Sequence, residues 1–408
     1  MIMDTPTIGI VKSLVPALQE HGSEITTRFY AKMFEAHPEL LNIFNHSNQR
    51  DGLQQQALAT SVYAAAANID DLTAILPAVK HIANKHCSLG VKPEHYPIVG
   101  KYLTLAIQDV LGDVVTPELL SAWKKAYTMI SDAFIQLEQQ IYQEEEQCRG
   151  GWAGFRPFTV KSRQQVAEDI VALELEAADG QPIIEDYLPG QYVTVKIEKD
   201  GFEHLRQYSL CDVPGSHHTY RIAVKFEDTS RELQRAGLVS SYIHYHVRAG
   251  DTLLVSAPAG VFTLDTTLTN PVALLAGGVG ITPIMSMLRT VAEQQPDREV
   301  QLAYAVRDHH FHAFADDLKQ LAEGAPTVSS TIFYENGTEE DVEQRRCSYI
   351  GRINAAWLEQ HIPGNAEVYV CGPRPFMQVM ISTLLRQGHP MEHIHYEVFG
   401  PALSFSVD

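Results

Sequence analysis

"TPELLSAWKKAYTMISDAFIQLEQQIYQEEEQCRGGWAGF", residues 116–155, changes its structural period near its end, and that change decides how the chain folds. Thr116 is suited to accept from the amides of a first helical turn, and Pro117 fits that turn because it has no amide hydrogen to leave unpaired. Leu119, Trp123, Ile130, Phe134, Leu137 and Ile141 then fall on one helical stripe. One residue on that stripe is out of character. Glu138, four beyond Phe134 and three before Ile141, puts a carboxylate where an unpaired charge is costly. Either it has a partner, or it lies at the stripe's margin and reaches water; the stretch alone leaves both open. A short acidic run and three glycines, Gly150, Gly151 and Gly154, stop the helix.

Upstream, residues 5–147 keep helical spacing throughout. Downstream the period becomes two. "TYRIAVKF" (219–226) sets Tyr220, Ile222, Val224 and Phe226 on one face, and "DIVALELEA" (169–177) and "QYVTVKIE" (191–198) alternate between turn signals at Pro189-Gly190 and Asp200-Gly201. Short strands at that spacing predict a small antiparallel barrel. From Pro271 the strands become continuous apolar runs, "PVALLAGG" (271–278) and "AEVYVCG" (366–372), alternating with the helical segments "TPIMSMLRTVAEQ" and "PFMQVMISTLLRQ". That pattern predicts a parallel sheet covered on both faces. The expected chain is therefore multidomain: an all-α domain over 1–147, a linker over 148–155, an antiparallel β-barrel over 156–266 and an α/β parallel-sheet domain over 267–408.

Fifty acidic residues against 31 basic ones leave a net charge of -19, which repels phosphate backbones and anionic membranes and argues against a nucleic-acid partner. There is no run of 18 apolar residues, hence no expected transmembrane segment, and Asp4 stands where a signal peptide would carry positive charge. A cytoplasmic location is expected. The five cysteines, odd in number and without a CxxC pair, predict free and mostly buried thiols.

Four stretches carry candidate chemistry. "HIANKHCSLGVKPEHYPIVG" (81–100) offers His81, His86 and His95, each a possible ligand or a plain helix histidine. "LLAGGVGITPIMSML" (274–288) runs from a strand through a glycine turn into a helix, with Thr282 placed to cap it and Pro283 at its first position. Such glycines let the backbone approach a pyrophosphate, and the helix N-terminus supplies free amides. "RQYSL" (206–210) groups a cation, an aromatic ring and a hydroxyl near a strand. "VYVCGPRPF" (368–376) ends a buried strand at the carboxyl edge, where open parallel sheets bind ligands.

In this order, after a barrel, the last three motifs resemble the ferredoxin reductase family over residues 152–408. The resemblance implies FAD, with Arg206 at its phosphate, Tyr208 on the isoalloxazine face, Ser209 at the N5 edge, Tyr192 and Gln207 beside them, and the stretch Gly237 to Ser240 at the pyrophosphate. It implies NAD(P)H held by Gly278, Val279, Gly280, Ile281, Thr282 and Pro283 with Cys371, Gly372 and Pro373. In "HYEVFGPALSF" (395–405), Phe399 occupies the place of the family's terminal aromatic that covers the flavin, among Glu397, Val398, Gly400 and Pro401.

The helical half resembles a globin, and a globin fused to this reductase is the layout of flavohemoglobins. That resemblance implies haem b bound through His86, with Tyr96 and Glu138 hydrogen-bonding to that imidazole, Tyr30 and Gln54 as hydrogen-bond donors on the oxygen side, and Phe44 and Leu58 against the porphyrin. Lys85 and Glu397 match positions where the globin meets the flavin. His81 and His95 receive no role. The sequence departs from the family in a longer stretch before Gly237, "EDTSRELQRAGLVSSY" (227–242), and in Val261, where an acid is common.

The implied activity is that of a nitric oxide dioxygenase, turning NO and O2 into nitrate with electrons from NAD(P)H. The flavin divides a two-electron hydride into the single electrons a haem accepts. A monomer is expected. Two other activities fit the residues: a haem-based gas sensor or oxygen store with a housekeeping reductase, for which no further domain follows Phe399-Gly400, and a general NAD(P)H-flavin reductase. Arg307 and His309 could meet the 2'-phosphate of NADPH or only solvent.

Overall fold

A computed structural model of the chain describes residues 3–43, 52–199, 201–215, 218–227 and 237–400. It divides into two compact units: residues 1–148 with 152–154 and 196–206, and the remainder.

The first unit is built on α1 (Thr5–Ser13), α2 (Val15–Ala36), α3 (Leu53–Ala67), α4 (Leu76–Leu89), α5 (His95–Leu111) and α6 (Pro117–Gln147). As the sequence predicts, the Thr116 hydroxyl accepts from the Leu119 amide at 3.2 Å and Pro117 opens α6. The buried face of this helix includes the expected stripe. Its fully buried residues are Ala122, Trp123, Ala126, Ser131 and Glu138, while Leu119, Ile130, Phe134, Leu137 and Ile141 are half-buried. Around Trp123 the core gathers Leu18, Ile25, Phe29 and Met33 of α2 and Leu103, Ala106 and Ile107 of α5.

The barrel region comprises β1 (Phe155–Ala167), β2 (Ile170–Ala177), β3 (Tyr192–Lys199), β4 (Phe202–Ser209), β5 (Tyr220–Lys225) and β6 (Thr252–Ser256), with α7 (Leu238–His246) between the last two. The strands form one sheet in the order β4-β3-β6-β1-β2-β5, in which β1 pairs antiparallel with β2 and β6 and β2 with β5. Among the described residues the ladders do not close the sheet. Its ends meet at one bridge, Leu210 to Ile222, just past β4. Alternation holds as predicted, with Tyr220, Ile222 and Val224 fully buried, yet Ala223 on the opposite face is buried too. Ile170, Ala172, Cys211 and Ala223 join the same apolar cluster as Leu274, Met285 and Leu302 of the next region, so this part of the sheet is covered on both sides.

That next region alternates β7 (Val272–Gly277), α8 (Ile281–Gln294), β8 (Val300–Val306), α9 (Ala315–Gly324), β9 (Val328–Tyr334), α10 (Glu339–Glu343), β10 (Tyr349–Ile350), α11 (Ala355–His361), β11 (Glu367–Cys371), α12 (Arg374–Arg386) and β12 (Ile394–Glu397). The sheet is parallel in the order β10-β9-β8-β7-β11-β12. One face packs Leu274, Leu302 and Tyr304 against Ile284 and Leu288 of α8, and the other packs Leu275, Val368 and Val370 against Leu358 and Met380. From β7 the chain moves outward on one side to β10 and returns on the other at β11. Open sheets bind ligands outside the carboxyl ends of their strands at such a reversal.

Glu145, near the end of α6, is half-buried, and burial together with the neighbouring charge of Glu146 raises its carboxyl from 4.5 to about 7. The folded chain therefore holds this proton more tightly than the unfolded one, so stability is lost as pH rises through that window. Glu145→Gln is expected to raise the unfolding temperature at pH 8 and to leave it unchanged at pH 4, as followed by far-UV circular dichroism.

Candidate functional site

His86 lies in the last turn of α4, which ends at Gly90 (φ 75°) with the His86 carbonyl accepting from the Val91 amide at 3.0 Å. Its Nδ1 is 2.7 Å from Glu138 Oε1 and 3.2 Å from the Tyr96 hydroxyl, and that hydroxyl donates to the same Oε1 at 2.5 Å. The carboxylate that looked misplaced on the α6 stripe, only 3 % exposed, thus has two donors. A carboxylate accepts from an imidazole N–H, so this contact engages Nδ1 and leaves Nε2 as the ring nitrogen not bonded to Glu138. Burial, with the charge of Glu138 added, pushes the Tyr96 phenol far above its ordinary range and keeps it a donor. Phe134 packs on the imidazole with ring centres 5.9 Å apart.

Three further residues grip this group and were missed in the sequence. The Tyr142 hydroxyl donates to the Val91 carbonyl at 2.9 Å and to that of Cys87 at 3.3 Å, and Tyr127 donates to the Tyr96 carbonyl at 2.7 Å. The Cys87 thiol, kept protonated mainly by burial, donates to the Glu138 carbonyl at 3.7 Å. Tyr142 follows Glu138 by four residues, a spacing that could have flagged it as facing the same neighbours. His81 and His95 remain outside the group, and burial lowers the pKa of both.

On α2, Tyr30 is 4 % exposed, stacks on Phe34 at 5.5 Å and shares a core with Leu58. Gln54 and Leu58 sit one turn apart on α3, both half-buried. The Thr26 hydroxyl ties α2 to α3 by donating to the Gln55 carbonyl at 2.9 Å. Phe44 lies outside the described residues.

Arg206, Gln207, Tyr208 and Ser209 are consecutive in β4, and Tyr192 opens β3. Ser209 is buried; the other four are half-buried. Gly237 immediately precedes α7, no side chain caps that helix, and Ser240 donates to the Gly237 carbonyl at 2.9 Å. Among the described residues, the amides of its first turn therefore have no side-chain cap.

At the carboxyl edge of the parallel sheet, Gly278-Val279-Gly280 forms a single tight turn and α8 starts at Ile281. This corrects one expectation. Thr282 does not cap the helix, because the helix begins before it; its hydroxyl donates instead to the Val279 carbonyl at 3.0 Å. Pro283 falls at the third helical position, where its missing amide hydrogen is still harmless. No side chain caps α8, and the Ile281 amide bonds back to the carbonyls of Gly278 and Val279.

A Cβ on Gly280 would stand 2.2 Å from the Cys371 carbonyl oxygen, so only glycine lets the two turns touch. Cys371 is in register with Glu397 of β12, and its thiol donates to the Glu397 carbonyl at 3.6 Å. Motifs nearly 120 residues apart therefore end on one edge: Gly278 to Pro283, Cys371 to Pro373, and Glu397. Val398 is half-buried, Phe399 is 49 % exposed beside Gly400, and Pro401 lies outside the described residues. Lys85, next to His86, belongs to the other compact unit. Arg307 stacks over Phe311 at 3.4 Å and lies 3.6 Å from Asp169; His309 lies 3.4 Å from Asp341.

Residues 27–134 match the globin family, 157–264 the oxidoreductase FAD-binding domain and 274–381 the oxidoreductase NAD-binding domain. A flavohemoprotein of Bacillus cereus is 48 % identical over 409 aligned residues, covering 99 % of this chain and all of its own. The crystal structure of a flavohemoglobin from Malassezia yamatoensis with bound FAD and heme superposes with a TM-score of 0.84 at 31 % identity, over 97 % of this chain and 99 % of that one. The flavohem-like FAD/NAD-binding domain of a nitric oxide dioxygenase from Vibrio cholerae gives 0.54 at 34 % identity, over 60 % of this chain and 99 % of that one. With a globin-type helical unit, a flavin-type sheet and a dinucleotide-type sheet edge in that order, and a relative nearly half identical from end to end, this chain belongs to the flavohemoprotein family.

Proposed function

We propose that the protein is a nitric oxide dioxygenase that converts NO and O2 to nitrate with electrons from NAD(P)H passed through FAD to haem b. The observation that carries this reading is the His86–Glu138–Tyr96 group. It presents one imidazole nitrogen with a lone pair while the other is bonded to a buried carboxylate, which is the donor arrangement a haem iron takes. The uncapped first turns of α7 and α8 suit the two pyrophosphates, and Gly280 keeps the α8 cradle clear. The haem and flavin, when bound, supply the electron transfer and oxygen chemistry; the protein supplies position and polarity.

In this reading Glu138 and Tyr96 hold the imidazole in one tautomer and increase its electron donation. Tyr30 and Gln54, on α2 and α3, serve as hydrogen-bond donors to the gaseous substrate. Arg206, Gln207, Tyr208, Ser209 and Tyr192 orient the flavin. Gly278 to Pro283 and Cys371 to Pro373 receive the dinucleotide, and Glu397 to Phe399 bring the chain's end to that edge. The working division is a haem domain over 1–147, a linker over 148–155, a flavin domain over 156–266 and a nucleotide domain over 267–408. No helix of the described residues is long and apolar enough to cross a membrane. A cytoplasmic monomer is the form we propose, supported by free cysteines of which four are buried.

Each hydride carries two electrons, and each pair of NO and O2 takes up one electron to become nitrate, so rapid mixing under oxygen should yield close to two nitrates per NADH. No nitrate would turn the reading toward a sensor or a general reductase. His86→Ala is expected to remove the intense haem band from the absorbance spectrum while the flavin band stays. Glu138→Gln, which keeps the shape and removes the charge, should lower turnover about tenfold to a hundredfold. Spectroelectrochemical titration should show its haem potential rising.

A further inference from the structure

Asp212 lies three residues beyond Ser209, outside every motif discussed so far. Its backbone carbonyl accepts from the Ser286 hydroxyl at 2.7 Å and from the Tyr187 hydroxyl at 2.8 Å. Its carboxylate accepts from Arg289 Nη1 at 2.6 Å. Ser286 and Arg289 are three apart on α8 and so project from one face of it. That is the helix whose N-terminus forms the dinucleotide cradle, and Ser286 lies only about 6 Å along its axis from Thr282.

The contact continues as alternating charge. Arg289 also bonds Asp317 at the start of α9, and Asp317 in turn accepts from Arg221 of β5 at 3.2 Å. The side chains of Arg289, Asp212 and Arg221 are 14 %, 17 % and 17 % exposed. Two cations and two anions, largely withdrawn from water, thus join the barrel to the nucleotide region at one locus. Charge-assisted bonds in such surroundings are shorter and stronger than neutral ones, and they are directional. Domain interfaces within a chain otherwise resemble transient contacts and permit relative motion.

We infer that Asp212 is a positioning residue for hydride transfer: it ties the strand bearing Arg206 to Ser209 to the helix bearing Ile281 to Pro283, and so sets the spacing between flavin and nicotinamide. This rests on the reading of the reductase half given above. A hydride moves only between rings in near contact, and a misplacement of about 1 Å costs on the order of a hundredfold in rate. Asp212, Arg221, Arg289 and Asp317 all lie outside the helical unit, so the flavin-to-haem step serves as the control.

The test is stopped-flow reduction of the FAD- and haem-loaded full-length protein by NADH, against Asp212→Asn, Arg289→Met and the milder Ser286→Ala. Flavin reduction is expected to slow at least tenfold in the first two and a few-fold in the third. Arg289→Lys, which keeps one charge but not the two-pronged reach, should recover part of the loss. Haem reduction by photochemically reduced flavin should keep its wild-type rate in every variant. Flavin reduction at the wild-type rate in the variants, or an equal slowing of the flavin-to-haem step, overturns the role of Asp212. Should Asp212→Asn or Arg289→Met fail to accumulate, Ser286→Ala decides on the same two rates. A wild-type protein whose flavin NADH does not reduce overturns the underlying reading instead.

Discussion

The bond from His86 Nδ1 to Glu138 is the constraint around which the helical unit is arranged. A carboxylate buried to 3 % exposure is unstable without donors, and an imidazole without a fixed acceptor has no fixed tautomer. Each group removes the other's difficulty. The remaining contacts keep them at bonding distance: Tyr142 and Cys87 hold the end of α4 against α6, and Tyr127 holds the start of α5, which carries Tyr96. Three helices are therefore locked around His86.

The second unit solves a different problem with backbone rather than side chains. Its candidate ligand edge is made of turns and helix N-termini, and no described side chain caps α7 or α8. Close approach of the two turns depends on the absence of a Cβ at Gly280. A phosphate needs many weak donors rather than one strong one, and such an edge supplies them at little cost in side-chain ordering.

Both halves use buried polar groups, but with different partners. In the helical unit one buried carboxylate is shared by the His86 ring and the Tyr96 hydroxyl. At the joint between barrel and nucleotide region, Asp212, Arg289, Asp317 and Arg221 balance in sign and act as a fastener. Their chemistry is conventional; their place between two motif-bearing elements is what connects them to catalysis.

Much of this was legible in the residues. Period 3.6 giving way to period 2 after Gln147, then to continuous apolar strands, determined the order of architectures, because burial on one face or on two leaves different alternations. The Thr116 cap and the glycine turn at Gly278 to Gly280 were local signals and appeared as local structure, as did the free thiols. Glu138 was legible only as an anomaly. That its partner is His86, 52 positions away, follows from how α4 and α6 pack. The burial of Ala223 opposite Ile222, the early start of α8 that frees Thr282 from capping, and the ties of Asp212 to a helix more than 70 positions on are likewise products of packing. The sequence by itself determined which segments are helix or strand and which residues bear chemistry, since both depend on near neighbours; tertiary structure alone decided which of those residues meet, since close approach between distant segments is set by shape and volume that no local pattern encodes.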